Sequence, residues 1–238
     1  LKKTIEVKNL SKSYQGVSVV KNLSFDVKRG EVFGLLGANG AGKSTTIECI
    51  LGTRSMDSGS AFILGMSPKT ERKKIFEQVG VQFQETNYPD KIKIWELCEE
   101  TENLYNDTKD YNSLLKEFGL YEKRKNYITE LSGGQKQRLF IVLALIPNPK
   151  VVFLDELTTG LDTKARRDVW KCLLNLKKSG LTIFLTSHFM DEVEELCDNI
   201  LILKKGNEVY RGSVDKAIKN SPYENFEDAY LWYSGEEN

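Results

Sequence analysis

Apolar residues fall into two rhythms along this chain, and the change between them divides it. Through the opening third they come in short runs cut by turn residues: Ile5 and Val7, then 23–27, then 31–36, with Lys28-Arg29-Gly30 as a tight connection. That texture predicts an antiparallel β element leading into a core strand. Residues 32–36 run straight into a glycine-rich segment, and residues 43–51 then carry helical spacing stopped by Gly52. Further strands are predicted at 60–64 and 79–83.

From about residue 87 to 146 the period becomes helical, with Ile94, Leu97, Leu104, Leu114, Leu115 and Phe118 at helix-like intervals and Gly119 as a stop. β character returns at 151–154, an unbroken apolar run of the kind buried on both faces of a parallel sheet. Residues 163–178 place Ala165, Val169, Leu173 and Leu176 on one helical face; Gly180 ends that helix and 181–185 read as the next strand. Beyond Ser213 the pattern predicts small helices whose Phe226, Tyr230 and Trp232 pack on the core. Strands alternating with helices specify the α/β class. The expected organisation is one domain: an α/β core with a β sub-domain over 1–86 and 147–238, and an inserted helical sub-domain over 87–146.

Composition narrows the partners. Thirty-four basic and 34 acidic side chains cancel over the 238 residues, so bulk electrostatics do not call for nucleic acid, and short basic runs read as solvated faces. Cys49, Cys98, Cys172 and Cys197 lie far apart without metal-ligand spacing and are expected to be reduced cytosolic thiols. The longest apolar run, 139–146, falls well short of the roughly 20 residues that cross a bilayer, and no signal-peptide pattern opens the chain. A membrane role is therefore expected only through a partner.

Three segments carry candidate chemistry. Gly37-Ala38-Asn39-Gly40-Ala41-Gly42-Lys43-Ser44-Thr45 fits G-x-x-x-x-G-K-[ST] between a predicted strand and a predicted helix. Glycines there let backbone N–H groups turn inward around phosphate oxygens, while the helix points its positive end at them. Lys43 is expected to neutralise β and γ phosphates, and Ser44 to bind magnesium. With glycine at about 7% of residues, the pattern arises by chance in roughly one such chain in a hundred, so a plain glycine turn is the weaker reading.

The second segment, Val151-Val152-Phe153-Leu154-Asp155-Glu156, is an apolar strand ending in two acids. Buried carboxylates are costly unless they serve a cation, so Asp155 is the expected magnesium holder and Glu156 the residue that orients or deprotonates an attacking water. The third, Leu131-Ser132-Gly133-Gly134-Gln135, opens a helix: Ser132 is a good N-cap, and two glycines leave the helix amides open to an anion.

Together these segments resemble the nucleotide-binding subunit of ABC transporters, over nearly the whole chain. The resemblance implies a P-loop NTPase core, with an antiparallel β sub-domain and a helical sub-domain that carries the Leu-Ser-Gly-Gly-Gln run. It implies that Tyr14, in Leu10-Ser11-Lys12-Ser13-Tyr14, stacks on adenine. Gln84, ending Val79-Gly80-Val81-Gln82-Phe83-Gln84, is implied to reach magnesium and the attacking water, with Gln82 an alternative in register. Gly160-Leu161-Asp162 matches a loop that crosses to a second subunit, and His188 matches a residue that contacts the γ-phosphate and helps hold Glu156 and water in line. One position departs from the family pattern, where Pro often follows the catalytic Glu; here Leu157 does.

The resemblance also implies the assembly. Residues 37–45 would serve the chain's own ATP and 131–135 that of a second ATP-binding subunit, giving a head-to-tail dimer, most simply a homodimer. An integral membrane permease would dock near Gln84 and residues 85–94 and hold the chain at the cytoplasmic face of the membrane. Gln84-Glu85-Thr86-Asn87 and the run from Glu156 to Asp162 look most like the drug, bacteriocin or lipid exporter type. A soluble ABC-type ATPase acting as a clamp is the rival reading, but the second ATP domain, long coiled-coil insertion or basic surface common in such proteins is not visible. A P-loop kinase or GTPase leaves residues 131–135 unexplained.

Overall fold

The first structural decision is a long hairpin. β1 (Lys3–Tyr14) and β2 (Val17–Lys28) pair antiparallel across Gln15-Gly16, which both take positive φ, at 48° and 82°, as a two-residue turn with the twist of its strands requires. The chain then enters β3 (Val32–Leu36), helix α1 (Lys43–Leu51) and β4 (Ser58–Ile63). β4 pairs with the other side of β1, so one sheet has the order β2-β1-β4. The structure is a computed structural model that describes residues 2–82, 88, 89, 91–156 and 158–235.

The second sheet positions the site. After α2 (Pro68–Phe76) come β5 (Val79–Gln82), β6 (Val151–Asp155), β7 (Thr182–Thr186), β8 (Asn199–Lys204) and β9 (Asn207–Gly212). Over the described residues this sheet has six strands, ordered β5-β6-β7-β3-β8-β9. Every pairing is parallel except β8 with β9. Every residue of β3, β6 and β7 is buried, which is why these strands read as unbroken apolar runs. A row of rings joins the two sheets: Phe25 lies 5.2 Å from Phe33, Phe33 5.5 Å from Phe184, and Phe184 5.2 Å from Phe153. Each such pair contributes about 0.5–1.5 kcal/mol beyond its buried area.

α3 (Ile94–Glu102), α4 (Tyr111–Glu117) and α5 (Gly133–Leu145) form the helical layer. Their apolar residues share one cluster with Val152, Leu154, Ile183 and Leu185 of the parallel sheet. α5 approaches β5 so closely that a Cβ on Gly80 would stand 2.0 Å from the Ala144 carbonyl oxygen. Gly119, at φ 65°, stops α4 as its position in the sequence suggests. α6 (Thr163–Lys178) and α7 (Met190–Leu196) follow β6 and β7, and α8 (Val214–Lys219) and α9 (Phe226–Ser234) close the described chain.

Two expectations fail for reasons of helical phase. Leu104 is 78% exposed because α3 ends at Glu102, before the apolar interval reaches it. Trp232 is 40% exposed: Phe226 and Tyr230, four apart, share the buried face of α9, and a residue six after Phe226 falls well off it. Two further features were not foreseen. α2 buries only Pro68 and Ile75 and leaves almost no periodic signal, and the β8–β9 hairpin follows a short helix without a strong break in composition. Among the described residues no helix is long and apolar enough to cross a membrane.

Candidate functional site

β3, β7 and β6 are parallel neighbours, so their carboxyl ends open on one edge of the sheet. Ligands of open α/β sheets bind at that edge. β3 delivers the loop 37–42, β6 delivers Asp155 and Glu156, and β7 delivers Thr186, Ser187 and His188. Sequence separation is erased by topology here.

The glycine loop has little freedom of composition. Gly37 and Gly42 sit at φ 149° and 108°; a Cβ would stand 2.5 Å from the Leu203 carbonyl oxygen at the first and 2.6 Å from that of Val19 at the second. The β8–β9 turn braces the loop from below, where the Gly206 N–H donates to the Ala41 carbonyl at 3.0 Å. Lys43 opens α1, is 5% exposed, and donates from Nζ to the carbonyls of Gly37 at 2.8 Å and Ala38 at 3.3 Å. Its ammonium lies 3.8 Å from Glu156 Oε1.

Asp155 and Glu156 occupy different environments. Asp155 is 5% exposed and accepts a hydrogen bond from Thr186 Oγ1 at 2.5 Å. Burial raises its pKa above the usual carboxylate value and the Glu156 charge adds to this, while Thr186, Ser44 and Lys43 pull the other way. Glu156 has φ 50°, a left-handed conformation that costs a non-glycine residue about 1–3 kcal/mol and is found where a site over-determines it. Its N–H donates to Thr186 Oγ1 at 3.0 Å, and its Oε1 is hydrogen-bonded to His188 Nε2. Thr186 therefore orients both acids, a role that a threonine closing an apolar strand did not signal in the sequence.

Asn39, Gly40, Gly42, Lys43, Ser44, Thr45, Glu156 and His188 line one open cleft of about 420 Å³, with Val19 and Thr159 at its wall. The residues fit a nucleotide phosphate chain and a magnesium ion. The loop backbone presents no side chain where Gly37, Gly40 and Gly42 stand, one buried cation lies beside it, and a hydroxyl and a carboxylate meet at its end. Magnesium takes few protein ligands and keeps waters and phosphate oxygens; among the described residues no cluster of three or more His, Cys, Asp or Glu would cage a metal by itself.

Other expected site residues lie elsewhere. Tyr14 ends β1, opposite Val17, and is not among the residues lining the cleft; its ring has Lys12 Nζ at 5.4 Å and the Arg54 guanidinium at 5.3 Å. Ser132 and Gln135 form a reciprocal cap: the Gln135 N–H donates to Ser132 Oγ at 3.4 Å and the Ser132 N–H to Gln135 Oε1 at 3.0 Å. No residue of 131–135 lines the cleft. Gly134 has a packing reason as well, since a Cβ there would stand 2.7 Å from that of Ala165 on α6, whereas at Gly133 the nearest atom is a Leu161 methyl at 3.7 Å. Asp162 caps α6 by accepting from the Ala165 N–H at 2.8 Å. Gln84 and Leu157 lie outside the described residues.

A parallel sheet that sends one strand into a glycine loop and lysine-led helix, and a near neighbour into two acids, defines a P-loop nucleotide-binding protein. Residues 20–159 match the family model described as ABC transporter, and the chain belongs to that family. It is 38% identical over 213 residues to Nod factor export ATP-binding protein I of Rhizobium etli, covering 87% of this chain and 67% of the relative. Linearmycin resistance ATP-binding protein LnrL of Bacillus subtilis is 36% identical over 220 residues, covering 88% and 69%. Among solved structures, an ATP-binding subunit of an ABC transporter superposes with a TM-score of 0.87 at 27% identity, over 97% of this chain and 99% of that one. A dimeric post-hydrolysis ATP-binding cassette bound to ADP and Pi shares the fold, with a TM-score of 0.78 at 24% identity over 88% and 98%.

Proposed function

We propose that this chain is the ATP-hydrolysing subunit of a membrane exporter and works as one half of a head-to-tail dimer. The observation that carries the catalytic part is the Glu156–His188 hydrogen bond, held in the same cleft as Lys43 and the glycine loop. Backbone N–H groups of residues 38–45 and the Lys43 ammonium would bind the β and γ phosphates, and Tyr14 would take the adenine ring. Ser44, Asp155 and Gln84 would hold magnesium, which draws charge from the phosphate oxygens as the bond to the γ-phosphate breaks. Glu156 would align and deprotonate a water for attack, and His188 would fix the rotamer of Glu156 while contacting the γ-phosphate.

Ser132, Gly133, Gly134 and Gln135 stand away from the chain's own cleft, which supports assigning them, with Asp162, to the nucleotide of a second copy. The printed names of the relatives, an export ATP-binding protein and a resistance ATP-binding protein, support an integral membrane permease as the other partner and the cytoplasmic membrane face as the location. The helical segment 87–146 would then carry the motif presented to the second copy. The test is Glu156→Gln in the purified chain: ATP binding should persist, turnover should nearly vanish, and a dimer should accumulate with ATP. Turnover at the wild-type rate would remove Glu156 from this role. Recovery of ribosomes in place of an integral membrane protein with the tagged chain would overturn the exporter reading.

A further inference from the structure

Glu192 is a carboxylate inside the protein that the reaction proposed above does not use. It lies in α7, is 3% exposed, and does not line the cleft. Its Oε1 accepts from the indole N–H of Trp170, on α6, at 2.9 Å. Burial raises its pKa, while the hydroxyls of Ser187 and Thr158 and the positive charge of Arg166 favour its ionised form. A carboxylate in such a place is costly to the fold unless it organises the groups around it.

The groups around it lead to the cleft from two sides. Ser187 immediately precedes His188, is 2% exposed, and anchors its own loop by accepting the Phe189 N–H at 3.0 Å. Thr158 follows Glu156 by two positions, is 1% exposed, and sits in the turn closed by the Thr159 N–H on the Glu156 carbonyl at 3.2 Å. A buried atom nearby, Arg166 Nε, lacks a hydrogen-bond partner. The Arg166 guanidinium itself is stacked 3.7 Å over the Phe189 ring and contacts Asp191 at 3.3 Å. One carboxylate, bonded to Trp170 and to the hydroxyls of Thr158 and Ser187, thus stands behind both turns that meet in the Glu156–His188 hydrogen bond.

We propose that Glu192 is a positioning residue for Glu156 and His188: by bracing Thr158 and Ser187 against Trp170 of α6, it fixes the separation of the two turns. It touches neither nucleotide nor water, so its effect appears in turnover and not in affinity. The inference rests on Glu156 and His188 acting as proposed above.

The test is a double-mutant cycle on ATP hydrolysis by the purified chain. Glu192→Gln keeps the side-chain shape and the acceptor for Trp170 but turns an amide N–H₂ toward donors. It should lower kcat about 10-fold or more, the scale seen when supporting residues behind a site are changed, with ATP affinity and Tm close to wild type. In a His188→Ala background the same substitution should cost under about twofold, because coupled residues do not add. Equal losses in both backgrounds, or wild-type kcat in Glu192→Gln, would overturn the proposal. Should Glu192→Gln not fold, Thr158→Val removes one hydroxyl at nearly constant volume and is read on the same cycle. Glu156→Gln run in parallel separates the failures: if it abolishes turnover while Glu192→Gln and Thr158→Val leave kcat and its coupling to His188 unchanged, only the positioning role falls.

Discussion

His188 Nε2 is hydrogen-bonded to Glu156 Oε1 although 32 positions separate the two residues, because β6 and β7 are adjacent parallel strands that end together. Either partner's loss should disable the same step. Glu156→Gln and His188→Ala should each reduce kcat by about 10²–10⁴-fold, the range of a positioned acid–base group, with ATP affinity retained. Steady-state ATPase rates alongside equilibrium nucleotide binding check this.

Gly42→Ala should destabilise the protein by about 1–3 kcal/mol, from left-handed strain together with a Cβ 2.6 Å from the Val19 carbonyl oxygen. Gly40→Ala should cost less, since that glycine has φ 78° but no atom within 4 Å of a Cβ. Denaturant unfolding of both variants orders them, and ATP affinity should fall further in Gly42→Ala because the loop must shift.

The two glycines of the 131–135 run should separate packing from function. Gly134→Ala drives a methyl to 2.7 Å from that of Ala165, and overpacking of this kind costs about 1–3 kcal/mol. Gly133→Ala meets nothing closer than 3.7 Å and should leave stability within about 0.5 kcal/mol. It should nevertheless weaken the ATP-dependent dimer, measured by sedimentation in a Glu156→Gln background.

Asp155 makes a prediction about pH. An acid whose pKa is higher folded than unfolded binds more protons in the native state, so its contribution to stability falls as pH rises through the carboxylate range, about 4 for Asp. Burial raises the Asp155 pKa in the fold. Asp155→Asn should therefore raise the Tm of the magnesium-free protein at neutral pH, with the advantage fading towards pH 4, while turnover is lost. Thermal melts across pH 4–8 provide the measurement.

The fold was legible where one local signal dominated. The strand at Val32–Leu36, the helix Lys43–Leu51 and the strand Val151–Asp155 were readable because burial on both faces, or a glycine stop, leaves an unmixed pattern. Helix Thr163–Lys178 was readable in full, since Asp162 caps it and its apolar face keeps one phase. α2 was not, because a helix that buries two residues has almost no period to detect. Lys43, Ser44, Glu156 and His188, singled out by the sequence, line one cleft, and Asp155 lies beside Glu156 at the end of β6, whereas nothing in the sequence singled out Thr186 or Glu192. Each is an ordinary polar residue whose contacts are set wholly by what folding places beside it.

By itself the sequence determined which backbone could be built: glycines where positive φ is required, apolar runs where both sheet faces are covered, and acids placed to end a strand. Those are local demands, set by sterics and by the cost of burying polar groups, and they act within a few residues. Tertiary structure alone decided that Glu156 faces His188, that Thr186 serves both acids, that Ala165 limits position 134, and that Glu192 stands behind two separate turns. The order β6-β7-β3 is a choice among strand pairings, fixed by how the whole core packs, and no short stretch of chain encodes it.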